Sequence, residues 1–262
     1  AGFGFEHAVE VERAHVCLRG QFVQVRRRFR RLDQAAGLRH QRGALGGCGA
    51  AVALGAPARA VARRFGGLLG VAIGILGART GAGPHIMAAD EAVKATNTEV
   101  VSIELPRDTK GGAGHGSLII LGGNDVSDVK RGIEVALKEL DRTFGDVYGN
   151  EAGHIELQYT ARASYALEKA FGAPIGRACG IIVGAPASVG VLMADTALKS
   201  ANVEVVAYSS PAHGTSFSNE AILVISGDSG AVRQAVISAR EIGKTVLATL
   251  GAEPKNDRPS YI

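Results

Sequence analysis

From Ile73 onward the apolar positions fall into short blocks with two different periods. Ile73–Leu76, Cys179–Val183, Ser117–Leu121 and Ala221–Ile225 are mainly apolar runs of strand length bounded by turns, as buried strands require. Glu99–Leu105 and Val203–Tyr208 are rich in β-branched residues and read as further strands. Ile155, Leu157 and Tyr159 alternate with Glu156, Gln158 and Thr160, the period of a half-buried strand. Helical spacing sets in between these blocks. Ile86–Thr96 places Ile86, Ala89 and Val93 on one face, and Val189–Ala201 does the same with Leu192, Met193 and Ala197. Val129, Ile133, Ala136, Leu137 and Leu140 define a longer helix with Ser127 as its expected cap, and Val232, Val236, Ala239 and Ile242 repeat that stripe. Ser164–Phe171 reads as a short helix ended by Gly172 and Pro174.

These elements occur twice in the same order, about 105 residues apart. Ala89-Asp90-Glu91-Ala92-Val93-Lys94-Ala95-Thr96-Asn97 returns as Ala194-Asp195-Thr196-Ala197-Leu198-Lys199-Ser200-Ala201-Asn202. The run from Leu118 to Gly123 likewise answers that from Ile222 to Gly227. A period this long makes the repeating unit a whole small domain rather than a solenoid turn. The expected fold class is α+β: two tandem domains, each a mostly antiparallel sheet with helices on one face. Tandem copies imply pseudo-symmetry, which points to assembly before it points to catalysis.

Bulk properties change this picture little. With 262 residues, 46% hydrophobic and 21% charged, the chain has an ordinary globular composition. Its 36 glycines and 5% aromatic content favour tight turns over a deep aromatic pocket. Cys17, Cys48 and Cys179 have no metal-ligand spacing and an odd count, which reads as a reducing, cytoplasmic environment. The apolar runs 44–58 and 65–78 are too short and Gly-rich to span a membrane. The chain begins with Ala, which reads as a fragment and leaves a preceding signal segment open.

The formal charge of +4 would suggest nucleic acid, but its distribution argues against that partner. Residues 1–72 hold twelve Arg against four acids, whereas the remainder has 17 basic and 21 acidic residues. Residues 1–72 also contain no Lys, Ser, Thr, Asn, Ile, Tyr, Met or Trp, so they lack most turn and cap residues. This segment is expected to be disordered or read from the wrong frame; an Arg-rich tail binding nucleic acid or a partner is the alternative. Phe65, Gly66, Gly70, Ala72, Gly74 and Ile75 still align with Phe171, Gly172, Gly176, Ala178, Gly180 and Ile181, so genuine sequence can resume near Ala60.

The stretch 194–206, followed by a loop and then Leu-Val-Ile-x-Gly-Asp-x-Gly-Ala-Val-Arg at 223–233, resembles the bacterial microcompartment (BMC) shell domain. Two such units, with the strand and helix of 155–171 ahead of the second motif, resemble the circularly permuted tandem shell proteins of the propanediol-utilisation type. The likeness covers roughly residues 73–262 and divides them into domains at 73–149 and 150–262. On that division the first domain is expected to lack the strand and helix that 155–171 give the second. The resemblance implies a homotrimer whose six domains mimic a flat hexameric tile, packed with other shell proteins around enclosed enzymes. It implies a structural, non-enzymatic role, with no cofactor, metal or catalytic residue. Small polar solutes such as diols or aldehydes would pass through the tile.

In that family the loops between the central strands face the symmetry axis. Here they are 108–116 and 209–218, which offer Lys110, Gly111, Gly112 and His115 in one copy and Ser210, His213, Gly214, Thr215 and Ser216 in the other. Glycine bares backbone groups and hydroxyls both donate and accept, as a polar solute requires. The plainer reading is a pair of flexible surface loops, with His115 and His213 as polar loop residues in similar places. Lys94 with Asn97 and Lys199 with Asn202 would lie on the tile edge; the alternative is a solvated lysine at a helix end. The turn 77–84 has the glycines of a phosphate cradle but not the Gly-Lys-Ser/Thr ending of a P-loop, so a structural turn is favoured. The rival functional reading is a small-molecule-binding or sensing α+β protein that uses such turns for an anionic ligand.

Overall fold

The computed structural model describes the backbone of residues 15–18, 21–24 and 50–54, and the full residues 72–78, 80–107 and 115–262. The expectation of disorder or a frame error over 1–72 therefore lies almost wholly outside the described residues. Strands β1 (His15–Leu18) and β2 (Gln21–Gln24) pair with each other. Strand β3 (Ala50–Leu54) is antiparallel to β4 (Ala72–Ala78) and opens a four-stranded sheet ordered β3-β4-β6-β5. A strand thus stands where the sequence pattern leaves the first repeat without one.

After β4 the first repeat runs through α1 (Ala82–Ala95), β5 (Glu99–Glu104), β6 (Ser117–Gly123) and α2 (Val126–Thr143). A tight hairpin of β7 (Val147–Asn150) and β8 (Gly153–Thr160) then leads to α3 (Tyr165–Phe171). The second repeat follows as β9 (Ala178–Ala185), α4 (Ala187–Ser200), β10 (Val203–Ser209), β11 (Ala221–Gly227) and α5 (Ser229–Leu250). Its sheet is ordered β10-β11-β9-β8-β7, and all pairings are antiparallel. Both edge pairs carry a register irregularity at the same place, between Val100 and Ser102 and between Val205 and Ala207.

The long helices lie directly on glycine. A Cβ on Gly74 would come within 2.7 Å of the Ile133 side chain, and one on Gly180 within 2.7 Å of Val236. These bare positions let α2 and α5 sit close against β4 and β9. Helix starts depart slightly from the spacing. Asp125, not Ser127, caps α2 by accepting from the Ser127 amide at 2.6 Å, and Asp228 does the same for α5 through Gly230 at 2.9 Å. Helix α1 begins at Ala82 rather than Ile86, because Pro84 falls in the first turn, where its missing N–H is not needed.

The two sheets are covered differently. One face of β8, β9 and β11 buries Ile155, Leu157, Ile182, Leu223 and Ile225 against α4 and α5. The other face puts Cys179, Ile181, Val183 and Val224 into the core formed with α1, α2 and α3. Strand β9 is consequently buried at every position, and β8 is buried on both faces rather than half-buried. Helices on one face of each sheet is thus a description of the isolated unit; in the chain the first repeat covers the second sheet's other side.

The C-terminus is fastened by one buried carboxylate. Asp146 accepts from Arg240 Nη1 at 2.8 Å, Ser260 Oγ at 2.8 Å and the Tyr261 amide at 2.9 Å. Its side chain is fully buried. Truncating it would leave Arg240 with Glu241 as its remaining carboxylate partner and loosen the 260–262 tail. Asp146→Ala is expected to lower stability by about 3 kcal/mol in urea unfolding, with the loss centred on α5 and the tail.

Candidate functional site: the junction between the repeats

Helix α3 has a serine at its N-cap position, Ser164, whose side chain makes no capping bond. Asp90 of α1 supplies it instead. Its carboxylate accepts from the Ser164 amide at 3.0 Å and the Leu167 amide at 3.2 Å, so a helix of one repeat caps a helix of the next. Lys94, one turn on, reaches Asp90 at 2.9 Å, Glu91 at 2.9 Å and the Thr160 hydroxyl at 3.2 Å. Burial raises the Asp90 carboxyl above the ordinary aspartate range, while Lys94 and the α3 amides act the other way. Ile86, Met87 and Val93 fill the space around this link.

The face of β8 turned to α1 is polar throughout: His154, Glu156, Gln158 and Thr160. Gln158 donates to the Thr143 carbonyl at 2.7 Å and accepts from Tyr261 Oη at 2.7 Å. Farther along, His115 Nδ1 pairs with Glu220 Oε1 across the junction. Both side chains are almost wholly buried. Glu156 lies 3.5 Å from His154 Nε2, and neither nitrogen of His154 has a hydrogen-bond partner. Burial lowers His154 below the ordinary histidine value, although the Glu220 charge opposes it. Burial together with Glu220 pushes the Glu156 carboxyl up to about 8. The thiol of Cys179 is pushed up to about 12 by burial, which leaves it a core residue rather than a nucleophile.

A cavity of about 130 Å³ opens beside this cluster, lined by Leu105, His115, Phe171, Ser209, Gly214 and Ser216 among others. It gathers three of the sequence-derived loop residues, His115, Gly214 and Ser216; Ser210, His213 and Thr215 lie outside its lining. Lys110, Gly111 and Gly112 fall outside the described residues. The 209–218 loop is tightly self-bonded: Ser210 and His213 exchange backbone hydrogen bonds at 2.9 and 2.8 Å, and buried Thr215 donates to the Ser218 carbonyl at 3.2 Å. Gly214 has φ 101°, a conformation that a side chain would strain. His115 and His213 do not share a place: the first, partly buried, lies two residues before β6, the second exposed eight residues before β11.

The start of α1 after the glycine turn is engaged by the protein's own groups. Ala82 N–H donates to the His115 carbonyl at 3.2 Å, and a Cβ on Gly83 would stand 3.6 Å from Glu156 Oε2. A carboxyl group thus stands beside the start of α1. Among the described residues no group of three or more His, Cys, Asp or Glu is placed to hold a metal.

The second repeat presents the same face without a cover. Stepping 105 residues from Ile86, Met87, Val93 and Val100, each at most 8% exposed, leads to Val191, Leu192, Leu198 and Val205, each 39–53% exposed. The equivalent of Asp90 is Asp195, which among the described residues bonds Lys199, at 2.7 Å. Lys94 is 23% exposed in its side chain and Lys199 is 75% exposed. Asn97 and Asn202 are both exposed at the helix ends.

Both repeats, at residues 72–152 and 178–253, match the BMC domain. The chain belongs to the BMC domain family. It is 99% identical over 190 residues to the bacterial microcompartment shell protein PduB of Salmonella typhimurium, covering 72% of this chain and 70% of that protein. Among solved structures, that of a trimeric bacterial microcompartment shell protein PduB is 52% identical with a TM-score of 0.78, covering 82% of this chain and 95% of that one. The structure of EtuB from Clostridium kluyveri is 50% identical with a TM-score of 0.79, covering 82% and 96%.

The two BMC lysines should separate on stability. Lys94→Ala leaves a buried Asp90 short of a partner and should cost about 2 kcal/mol. Lys199→Ala removes an exposed pair and should change stability by less than about 0.5 kcal/mol in the same denaturant titration.

Proposed function

We propose that this chain is a structural, non-enzymatic shell subunit of a bacterial microcompartment of the propanediol-utilisation type, located in the shell of that cytoplasmic body. Three copies close into a tile of six BMC domains. The likeness to PduB shell proteins supplies the class, and the uncovered α4–β10 face is the observation that carries the assembly. In the first repeat that same face is sealed by α3 and β8 of the following repeat. A ring repeats this contact head to tail, alternating junctions within a chain and between chains, until none is left open. An apolar face of this kind, left in water, is a liability; its burial between copies gives the ring its stability.

The loops 108–116 and 209–218 and the cavity beside them suit a route for small polar solutes such as diols or aldehydes, offering hydroxyls and bare backbone groups. Lys94 with Asn97 and Lys199 with Asn202 serve contacts with neighbouring tiles, including other shell proteins, and enclosed enzymes are the further partners. Residues 73–149 and 150–262 act as the two domains. Residues 1–72 differ from them in composition and precede the family match, which begins at residue 72, although β3 within them pairs with β4 of the first domain.

Light scattering on the purified chain should give the mass of three copies. Leu198→Glu, which puts a charge in the open face, should shift it to monomer while the far-ultraviolet circular dichroism is kept. Lys199→Ala should leave the trimer intact and reduce the extended sheets seen by electron microscopy at low salt. A wild-type chain that stays monomeric at micromolar concentration would sink the ring.

A further inference from the structure

We propose that Glu156 and Glu220 form a proton-binding site at the junction within the chain, holding one proton between them while the repeats are packed and loosening the junction when it leaves. The site is a place in the fold, not a pair of surface acids. Glu156 projects from β8, and Glu220 from the segment entering β11. Both line a cavity of about 30 Å³, together with His115, Ala82, Gly83 and apolar walls from Leu105, Phe171, Ile181, Val183 and Ile222. That volume suffices for one water able to relay a proton between the carboxyls. Two carboxylates with apolar walls cannot both ionise cheaply, because low dielectric strengthens their repulsion.

The surrounding groups decide which acid holds the proton. Glu220 has a partner, His115 Nδ1, brought to it from the end of the loop before β6. Glu156 has on its own strand only His154, which burial keeps neutral. In the first turn of α1 the one titratable group is His85, and it is turned to the Gly81 carbonyl at 2.7 Å. Arg107, at the near end of the same loop, is bound to the Ser216 carbonyl at 2.6 Å rather than to either acid. Asp90 and Lys94 are paired together at the far end of α1. Glu220 is thus already bonded to His115, whereas Glu156 has no such partner and is the acid placed to hold the proton.

The consequence for stability has a definite sign. Glu156 titrates at about 8 in the folded chain against 4.5 in its ordinary state. The folded form holds a proton that the unfolded chain has released, so this stabilisation is complete below the lower value and is lost as pH rises through the upper one. His154 acts in the opposite sense and lower down: its folded value lies below 6.5, so its effect is spent above that pH. The window above neutrality belongs to Glu156. This inference concerns a junction inside one chain and stands whether or not the ring forms.

The test is urea unfolding of the full chain from pH 7 to pH 8.5, with infrared spectroscopy of the carboxyl region. In wild type the unfolding equilibrium constant should rise about tenfold across that range, and in Glu156→Gln by less than about twofold. A protonated-carboxyl band should be present at pH 7, fade in the mildly alkaline range, and be missing from Glu156→Gln. If that variant fails to fold, Glu220→Gln decides: removing the facing charge should move the fading of the band to lower pH. Equal pH slopes in wild type and Glu156→Gln, no such band at neutral pH, or a band unmoved by Glu220→Gln would each overturn the proposal.

Discussion

A buried carboxylate that caps a helix in the other repeat holds the centre of this molecule together. Asp90 cannot stay ionised in an apolar setting without partners, and it finds them in Lys94 and in the amides of Ser164 and Leu167. Those partners fix α1 against α3, and the rest follows from that placement. With α1 there, β8 must face it, so the strand's polar row is drawn inside. With β8 fixed, β9 and β11 have helices of different repeats on their two sides, and the sheet becomes an inner layer. The apolar residues around Asp90 supply most of the burial energy, while the carboxylate sets the register at which they meet.

One motif does two jobs at the two ends of the chain. Asp-x-x-x-Lys at 90–94 and at 195–199 is the same helical turn, yet the first is enclosed and the second is open. The sequence of α4 carries the explanation. Val189, Met193 and Ala197 meet its own sheet, but Val191, Leu192 and Leu198 are apolar too and point away from it. A helix apolar on opposite sides belongs between two layers. Its weak amphipathicity is shared with α1, which does lie between two layers.

Much of this was legible in the residues. The 105-residue echo gave two domains, the apolar runs located the central strands, and the 3.6-residue stripes located α2 and α5. The BMC resemblance rested on motifs long enough to carry it. Local periodicity could not show which side of a strand would be covered by the other repeat. Glu156, Gln158 and Thr160 have the alternation of a solvent-facing row, because the partner that buries them lies some seventy residues away in α1. The same limit hid Asp90 as a cap and Glu220 as the partner of His115: both pairings join repeats, and neither leaves a mark in a short window. The hairpin strand β7 was missed because four residues containing a glycine give too little pattern. Comparing the repeats position by position was the signal available, since Asp90 and Asp195 are kept while their neighbours on the outer face remain apolar.

The two sheets also differ in sequence along this row. Glu156 pairs in the sheet with Val183, Gln158 with Ile181 and Thr160 with Cys179. By strand register the corresponding places on β3 are Ala50, Val52 and Leu54, opposite Gly77, Ile75 and Ile73. None of these three can ionise. The polar row of β8 lies at the junction inside the chain, where the two repeats are tethered and meet at high effective concentration. A tethered contact can bear the desolvation of glutamate and histidine that a contact between separate chains, formed at the cost of association entropy, would bear less easily.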